Sequence, residues 1–266
     1  MLSLNEIRNQ YPENLKGALF AQHMVKEYLQ TKVLNYISSS GHASRLVFFG
    51  GTSLRFCHGL DRFSEDLDFD YFGENREDLR DIFEGISRDI RKQGMPCETE
   101  HSLAGGDNYC KLVFPGISQV YQLGYPRKKI WIKIDIQHNR TNYNKEMHYV
   151  NRFGFFFPVH LPEKNILLSM KAVALTLRTK ARDMYDFSFL STNASLEMPY
   201  IIHELKLRGV MIDSPGQLKA LIMQKEAETD IREKVHEISL FLMDKGNALR
   251  VAHFFPWLRS MDFEKI

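Results

Sequence analysis

The spacing of hydrophobic and polar residues along the chain predicts where helices form. Apolar residues recur about every three to four positions over residues 15–38, which is the spacing of a helix with one buried face. Residues 75–93 predict an amphipathic helix that Gly94 can end. Residues 162–179 predict another helix, with room to continue by a turn, and a run of helices separated by turn residues follows from residue 182.

Short apolar or alternating runs predict strands between these helices. The predicted strands are 46–49, 66–71, 96–103, 109–114, 129–137 and 149–159, of which the last is weakened by Gly154. One or two helical turns are expected over 52–58, with Thr52 as the N-cap residue. This order of elements favours an α+β domain with a mixed sheet over residues 1–161, followed by a helical bundle domain over 162–266.

The composition is that of an ordinary globular protein. The chain has 266 residues, 44% of them hydrophobic and 26% charged, and its net charge of +2 means that nucleic-acid binding would depend on local basic patches. The three cysteines are far apart, which predicts free thiols without a structural zinc site, and the scattered histidines lack metal-ligand spacing. Because the sequence shows no signal-peptide pattern and no apolar run of 18 residues, we expect a cytoplasmic protein with no membrane partner.

Residues 48–72, FFGGTSLRFCHGLDRFSEDLDFDYF, contain the most informative motif. A strand that ends at two glycines before a helix would present backbone N–H groups and the positive end of a helix dipole, which suit phosphate. Asp66 and Asp68 stand two apart in a strand and so point to one face, where Asp70 could join them. Neighbouring carboxylates repel one another, and one or two Mg²⁺ ions would stabilise them. The alternative is a solvated polar face on an edge strand.

A third acidic residue, Asp135, lies in a strand of alternating pattern. A buried face is predicted for Ile130, Ile132, Ile134 and Ile136. Lys133 and Asp135 share the opposite face, and a carboxylate in so apolar a strand needs a partner or a metal ion. Asp135 is therefore either a third metal-site acid or a salt-bridged residue on an exposed sheet face.

The motif resembles that of nucleotidyltransferases of the DNA polymerase β superfamily, most closely the AbiEii-like toxins of bacterial type IV toxin–antitoxin systems. Residues 50–55 (GGTSLR) and 62–69 (RFSEDLDF) follow the family's GGT-x-LR and R-x-S-x-DLDF. The resemblance implies that phosphate is held by Gly50, Gly51, Thr52 and Ser53. It also implies that Asp66 and Asp68 hold the metal ions and that Asp135 is the third acid. Asp70 has no role in the family pattern and would be a rim residue.

Residues 167–190 resemble a second family segment, K-x(2)-AL-x(2)-R followed by RD-x-YD. If the helix continues that far, Lys171, Arg178 and Arg182 share one face, and such a basic face could hold a triphosphate. Lys171 and Asp186 are candidate catalytic residues, although Asp183 and Asp186 could instead orient the basic residues. The alternative is a solvated helix face with ion pairs between successive turns.

Together these features predict a metal-dependent nucleotidyltransferase that moves a nucleoside monophosphate from a nucleoside triphosphate to an acceptor hydroxyl. The resemblance implies a toxin acting on RNA, with tRNA 3′ ends as the leading acceptor, and a cognate antitoxin as partner. A small-molecule (antibiotic) nucleotidyltransferase and a nucleotide-binding regulator without turnover remain alternatives. Residues 191–266 carry no motif, and four of their aromatic residues are interpreted as core: Phe241, Phe254, Phe255 and Trp257.

Overall fold

The chain forms two compact units. The computed structural model describes residues 1–73, 76–103, 108–124, 129–139 and 141–266. The sheet unit comprises Met1–Gly59, Phe63–Asn139 and Glu146–Leu161, and the helical unit comprises Leu60–Arg62, Arg140–Lys145 and Pro162–Ile266. Two short segments therefore belong to the helical unit although the residues before and after each of them belong to the sheet unit.

The described part of the sheet unit is built from seven strands and five α-helices. The helices are α1 (Leu4–Arg8), α2 (Ala18–Ser39), α3 (Gly50–Cys57), α4 (Arg76–Lys92) and α5 (Ile117–Val120). The strands are β1 (Leu46–Phe49), β2 (Leu67–Tyr71), β3 (Glu98–Ser102), β4 (Asn108–Phe114), β5 (Ile130–His138), β6 (Lys145–Arg152) and β7 (Phe155–Pro162). Strands β1–β5 lie where the sequence predicts them, whereas the one-turn helices α1 and α5 are too short to give a periodic signal.

The sheet is mixed, which confirms the predicted α+β fold. Its strand order is β3-β4-β5-β2-β1-β7-β6. Strand β1 pairs with β7 and β2 pairs with β5 in parallel, whereas the other pairs with a described register are antiparallel. Because β2 is the fourth of the seven described strands, the alternative that its aspartates lie on an edge strand is wrong.

The isoleucine face of β5 is buried as predicted. Each of its four isoleucines, from Ile130 to Ile136, exposes 1% or less of its surface. Successive side chains of a strand point to opposite faces, so this burial places Lys133 and Asp135 on the other face. The two residues are only partly buried there.

Residues 149–159, predicted as one strand, form parts of two strands joined by a tight turn. Strand β6 ends at Arg152 and β7 begins at Phe155, and the two residues between them have positive φ angles, 53° at Phe153 and 80° at Gly154. Two such residues form the hairpin turn whose twist matches that of the flanking strands. The single-strand prediction is wrong because a phenylalanine gives no sequence signal for positive φ.

The described part of the helical unit contains seven α-helices. They are α6 (Lys164–Leu177), α7 (Ala181–Leu190), α8 (Met198–Lys206), α9 (Pro215–Gln224), α10 (Ile231–Ser239), α11 (Leu249–Ala252) and α12 (Phe254–Ser260). Helix α6 ends at Leu177 because Arg178 is extended, with φ −155° and ψ 158°. The prediction that Lys171, Arg178 and Arg182 share one face of a continuous helix is therefore wrong.

Two of the four aromatic residues predicted to lie in the core of the helical unit are buried, and the other two are partly buried. Phe254 and Phe255 are buried, as predicted. The ring of Trp257 lies 5.8 Å from that of Phe254 and 6.1 Å from that of Phe187. Phe241 is only partly buried and its ring lies 5.0 Å from the guanidinium of Arg182.

Cys57, Cys97 and Cys110 are free thiols, as predicted. None of the described helices combines the length and the apolar composition that a membrane span requires.

Candidate active site

The chain turns at Gly50, where β1 passes directly into α3, and we call residues 50–53 the glycine turn. The φ of Gly50 is +78°, a conformation that residues with a side chain rarely adopt. A Cβ atom at this position would lie 2.9 Å from Cγ of Asp68 and closer still to its Oδ2. Glycine therefore allows the backbone of the turn to approach the Asp68 carboxylate directly.

The hydroxyl groups of the turn are used to fix its shape. Thr52 Oγ1 donates a hydrogen bond to the carbonyl oxygen of Asp66 at 2.5 Å, and Ser53 Oγ donates to that of Gly50 at 2.9 Å. Thr52 is not the N-cap residue, because the helix already begins at Gly50 after Phe49. The first N–H groups of a helix lack intrahelical partners, so the phosphate contacts predicted for Gly50–Ser53 would come from its backbone.

The sheet places Asp68 and Asp135 side by side. The parallel pairing of β2 with β5 aligns Asp68 with Asp135, and the antiparallel pairing of β1 with β2 aligns Asp68 with Phe49. Neighbouring strands lie about 4.8 Å apart. Since Phe49 precedes Gly50, two of the predicted acids stand together next to the glycine turn.

Asp66 stands one residue before β2 rather than inside it. We call Asp66, Asp68 and Asp135 the acid cluster. All three carboxylates interact electrostatically with Lys133. The Nζ atom of Lys133 lies 2.6 Å from Oδ1 of Asp135. Burial lowers the pKa of Lys133, but the Asp135 hydrogen bond and the charges of all three aspartates raise it above its ordinary value. The salt-bridged state that the sequence left open for Asp135 is therefore present, and the charges of all three aspartates act on its partner Lys133.

Asp70 belongs to the interior of the sheet unit and not to an exposed rim. Only 2% of its surface is exposed, and Gln137 Nε2 donates a hydrogen bond to its Oδ1 at 2.6 Å. The two residues are register partners on β2 and β5. The expectation that Asp70 is a rim residue is therefore wrong.

Helix α2 holds the segment that leads into β2. Gln30 Nε2 donates to the carbonyl oxygens of Ser64 and Glu65, at 3.2 and 2.9 Å. The buried Lys26 forms an ion pair with Glu65 at 2.7 Å. These contacts fix the backbone immediately before Asp66, so α2 positions one member of the acid cluster.

A buried carboxylate, Glu27 of α2, ties α3 to the rest of the sheet unit. It pairs with Arg55 of α3 at 2.8 Å and with Arg152 of β6 at 2.5 Å, and it accepts a hydrogen bond from the Tyr11 hydroxyl. Burial raises the pKa of Glu27, but the two arginines together hold it below its ordinary value. This network has no sequence signal, because no local pattern connects residues so far apart along the chain.

Two of the basic residues predicted to bind phosphate, Lys171 and Arg178, are paired with acids in the helical unit. Lys171 Nζ lies 2.9 Å from Asp183 Oδ1 and 2.8 Å from Asp186 Oδ2, and Arg178 Nε lies 2.8 Å from Asp183 Oδ2. Burial lowers the pKa of Lys171, but the charges of the two aspartates raise it above its ordinary value. Asp183 therefore brings Lys171 and Arg178 together although the helix between them has ended.

Asp186 is fully buried and also pairs with Arg62. The Nε and Nη2 atoms of Arg62 donate to its two carboxylate oxygens at 2.8 and 2.7 Å, and both side chains are almost completely buried. A bidentate arginine–carboxylate pair fixes orientation as well as charge. These contacts favour an orienting role for Asp183 and Asp186, and a catalytic role for Asp186 stays a prediction.

Most of the chain matches a known protein family. Residues 32–250 match the model of the family described as nucleotidyl transferase AbiEii toxin, type IV toxin–antitoxin system. No curated protein gave a significant match. The fold is similar to that of MenT4, a nucleotidyltransferase toxin from Mycobacterium tuberculosis, with 20% identity, a TM-score of 0.63, and coverage of 100% of this chain and 92% of that chain.

Two structures from Helicobacter pylori are also similar. JHP933 shares 17% identity with a TM-score of 0.54, covering 92% of this chain and 94% of that one. A protein described as a candidate nucleotidyltransferase shares 18% identity with a TM-score of 0.56, covering 92% of this chain and 97% of that one. The family match spans most of the chain, from α2 through the glycine turn and the acid cluster to α11. The chain therefore belongs to the AbiEii family of nucleotidyltransferase toxins of type IV toxin–antitoxin systems, and it is an enzyme.

Proposed function

We propose that this nucleotidyltransferase uses Mg²⁺ at the acid cluster to transfer a nucleoside monophosphate to an RNA hydroxyl, with tRNA 3′ ends as the acceptor. The observation that carries the proposal is the strand register that sets Asp68 beside Asp135 and next to the glycine turn. Carboxylates can hold the metal ions that assist phosphoryl transfer, and a helix N-terminus can hold phosphate. The choice of tRNA is taken from the family resemblance.

The acid cluster fits a divalent metal ion. Its donors are carboxylate oxygens, which Mg²⁺ prefers. The three acids are all only partly buried, so they can be reached from solvent, and their charges act together on Lys133. Asp66, Asp68 and Asp135 would hold one or two Mg²⁺ ions, which when bound offset phosphate charge and lower the pKa of the acceptor hydroxyl.

The residues of the chain have separate tasks in the transfer. The backbone N–H groups of the Gly50–Ser53 turn would hold phosphate oxygens of the nucleoside triphosphate. Asp135 would accept the proton of the acceptor hydroxyl, whose oxygen forms a bond to the α-phosphorus while the bond to the β-phosphate oxygen breaks and pyrophosphate leaves. Lys133 holds the Asp135 carboxylate in place through their 2.6 Å ion pair.

The predicted phosphate contacts of the helical unit belong to the same proposal. Lys171 and Arg178 would add positive charge for the triphosphate, with support from Arg182, and Asp186 would keep Lys171 oriented. The supporting feature is that Asp183 contacts both Lys171 and Arg178. About half of the Arg178 side chain is exposed, so it can reach a ligand.

A transfer assay tests the acceptor. The intact protein is incubated with Mg²⁺ and each of the four nucleoside triphosphates, labelled at the α-phosphate, together with total tRNA. We expect label on tRNA, and we expect its loss when the tRNA 3′ ends have been oxidised with periodate. The variant Asp68→Asn serves as the inactive control.

Each other outcome corresponds to one of the alternatives. Label on an aminoglycoside or other small molecule, with none on RNA, would support an antibiotic nucleotidyltransferase. Nucleotide binding without label on any acceptor would support a regulator. Either result would overturn the RNA proposal. The family also implies a cognate antitoxin as partner, and its co-expression is expected to relieve the growth inhibition that the enzyme causes.

A further inference from the structure

The fold brings together two histidines and a glutamate that the sequence did not connect. His58 is the C-cap residue of α3, whereas Glu146 and His148 belong to β6. One candidate ligand atom from each of the three residues lies within 4.8 Å of the others. The sequence prediction for the histidines rested only on their spacing along the chain. Such spacing cannot reveal a contact between the end of a helix and a strand.

Local geometry explains how β6 presents its two ligands. Glu146 and His148 are two residues apart, so their side chains point to the same face of the strand. His148 Nε2 and Glu146 Oε1 lie 2.7 Å apart. The opposite, exposed face of this part of the strand is formed by Lys145, Met147 and Tyr149, which alternate with Glu146 and His148.

The end of α3 supplies the third ligand. The backbone N–H of His58 donates to the carbonyl oxygen of Leu54, which fixes the residue at the helix terminus. Its ring lies 5.0 Å from the ring of His148, at an interplanar angle of 69°. The two imidazoles therefore meet edge to face rather than stacked. One nitrogen atom of each ring lies within 4.8 Å of a Glu146 carboxylate oxygen.

We propose that His58, Glu146 and His148 form a binding site for a transition-metal ion of the Zn²⁺ type. Two imidazole nitrogens and one carboxylate oxygen are ligands that Zn²⁺ takes in tetrahedral sites, with water as the fourth ligand. The site differs in chemistry from the acid cluster, whose all-oxygen donors suit Mg²⁺. It is also accessible, because the side chains of His148 and Glu146 are 27% and 40% exposed.

A bound ion would join two elements that are separated along the chain. Helix α3 carries the glycine turn at its N-terminal end and His58 at its C-terminal end. Strand β6 lies at the end of the order of described strands, with β7 as its neighbour in the sheet. The ion would cross-link the C-terminal end of α3 to β6 and so stabilise the sheet unit.

Titration of the full chain with ZnCl₂ tests the site. The protein is first freed of metal with a chelator and is studied without nucleotide or Mg²⁺. We expect calorimetry to show one equivalent of tightly bound Zn²⁺, and a Zn²⁺ concentration one hundred times the Kd to raise the Tm by roughly 5 °C. Substitution by Co²⁺ is expected to give the visible absorption of a tetrahedral site.

Matched variants separate this site from other binding. His58→Ala, Glu146→Gln and His148→Ala each remove one ligand and should weaken Zn²⁺ binding by at least about one hundredfold. His101→Ala, which changes an exposed histidine of β3, should bind Zn²⁺ like the unmodified protein, and so should Asp68→Asn. Loss of Zn²⁺ binding in Asp68→Asn alone would place the ion at the acid cluster and overturn the proposal.

The remaining outcomes are also decisive. The proposal is overturned if the unmodified protein binds no stoichiometric Zn²⁺, or if the Glu146→Gln and His148→Ala variants bind it with unchanged affinity. If His58→Ala fails to fold, Glu146→Gln and His148→Ala still test the proposal. Each of these changes a partly exposed side chain, so we expect both variants to fold. Their melting temperatures in chelator, compared with that of the unmodified protein, show whether the fold is intact.

Discussion

Replacing Gly50 with alanine would push the glycine turn and the Asp68 carboxylate apart. An alanine Cβ would lie 2.9 Å from Cγ of Asp68, whereas carbon atoms in contact prefer about 3.5–4.0 Å. The carboxylate or the turn must therefore move by roughly 1 Å, and a displacement of that size in an active site can reduce the rate about one hundredfold. The positive φ of Gly50 adds a conformational cost of about 1–2 kcal/mol to the free energy of folding.

Gly94 offers a matched control for this change. Its φ is also +78°, but nothing lies within 4 Å of a Cβ built on it. Gly94→Ala should therefore pay the conformational cost alone. We expect both variants to lose about 1–2 kcal/mol in urea unfolding, with any excess in Gly50→Ala due to the contact. In the nucleotide transfer assay, only Gly50→Ala should lose activity, by about one hundredfold. Equal activity of the two folded variants would refute the idea that the turn and Asp68 act as one site.

Four further changes test other parts of the structure. Asp68→Asn should keep the fold, as judged by its Tm, but abolish transfer and weaken the binding of Mg²⁺ with nucleotide, because one proposed metal ligand is lost. Unchanged turnover would exclude the acid cluster as the catalytic metal site. Expression of the intact chain should slow bacterial growth, and the Asp66→Ala variant at the same protein level should not. If neither version slows growth, the result would speak against toxicity under these conditions. Lys171→Ala should weaken triphosphate binding, measured by calorimetry, by about ten- to a hundredfold, because a hydrogen bond to a charged group contributes about 1.5–3 kcal/mol. Monophosphate binding should weaken less. If the variant has a lower Tm but no such selectivity, the role of Lys171 is only structural, as the ion-pair partner of Asp183 and Asp186. Glu27→Gln should lower the free energy of unfolding by about 3–5 kcal/mol at pH 7, because the fully buried Glu27 carboxylate is the counter-charge of two partly buried arginines. Since the folded pKa of Glu27 is below its ordinary value of 4.5, its contribution is present above that pH and disappears as the pH falls through the folded pKa, so the variant should lose less stability on acidification than the unmodified protein.

The sequence by itself determined the features that depend on neighbouring residues. The alternation in β5 predicted its buried isoleucine face, because the two faces of a strand follow directly from a period of two. The glycines after β1 and the closely spaced acids Asp66 and Asp68 identified the motif of the family that the chain matches. Element order was enough to predict an α+β sheet followed by helices.

Local patterns failed where a backbone conformation was decided by only one or two residues. Arg178 adopts an extended conformation that ends α6, although its residue type is compatible with a helix. Phe153 adopts a positive φ in the turn between β6 and β7, although phenylalanine favours strands. In both cases tertiary packing overrides a weak intrinsic preference.

Only the tertiary structure decided which distant side chains meet. The pairing of Asp68 with Asp135 depends on the parallel register of β2 and β5, and β2 is separated from β5 by β3 and β4 along the chain. The same holds for Glu27 between Arg55 and Arg152, and for His58 beside Glu146 and His148. A sequence pattern records which face of an element a residue occupies, but the partner across that face is set by how the elements pack together to bury their apolar sides.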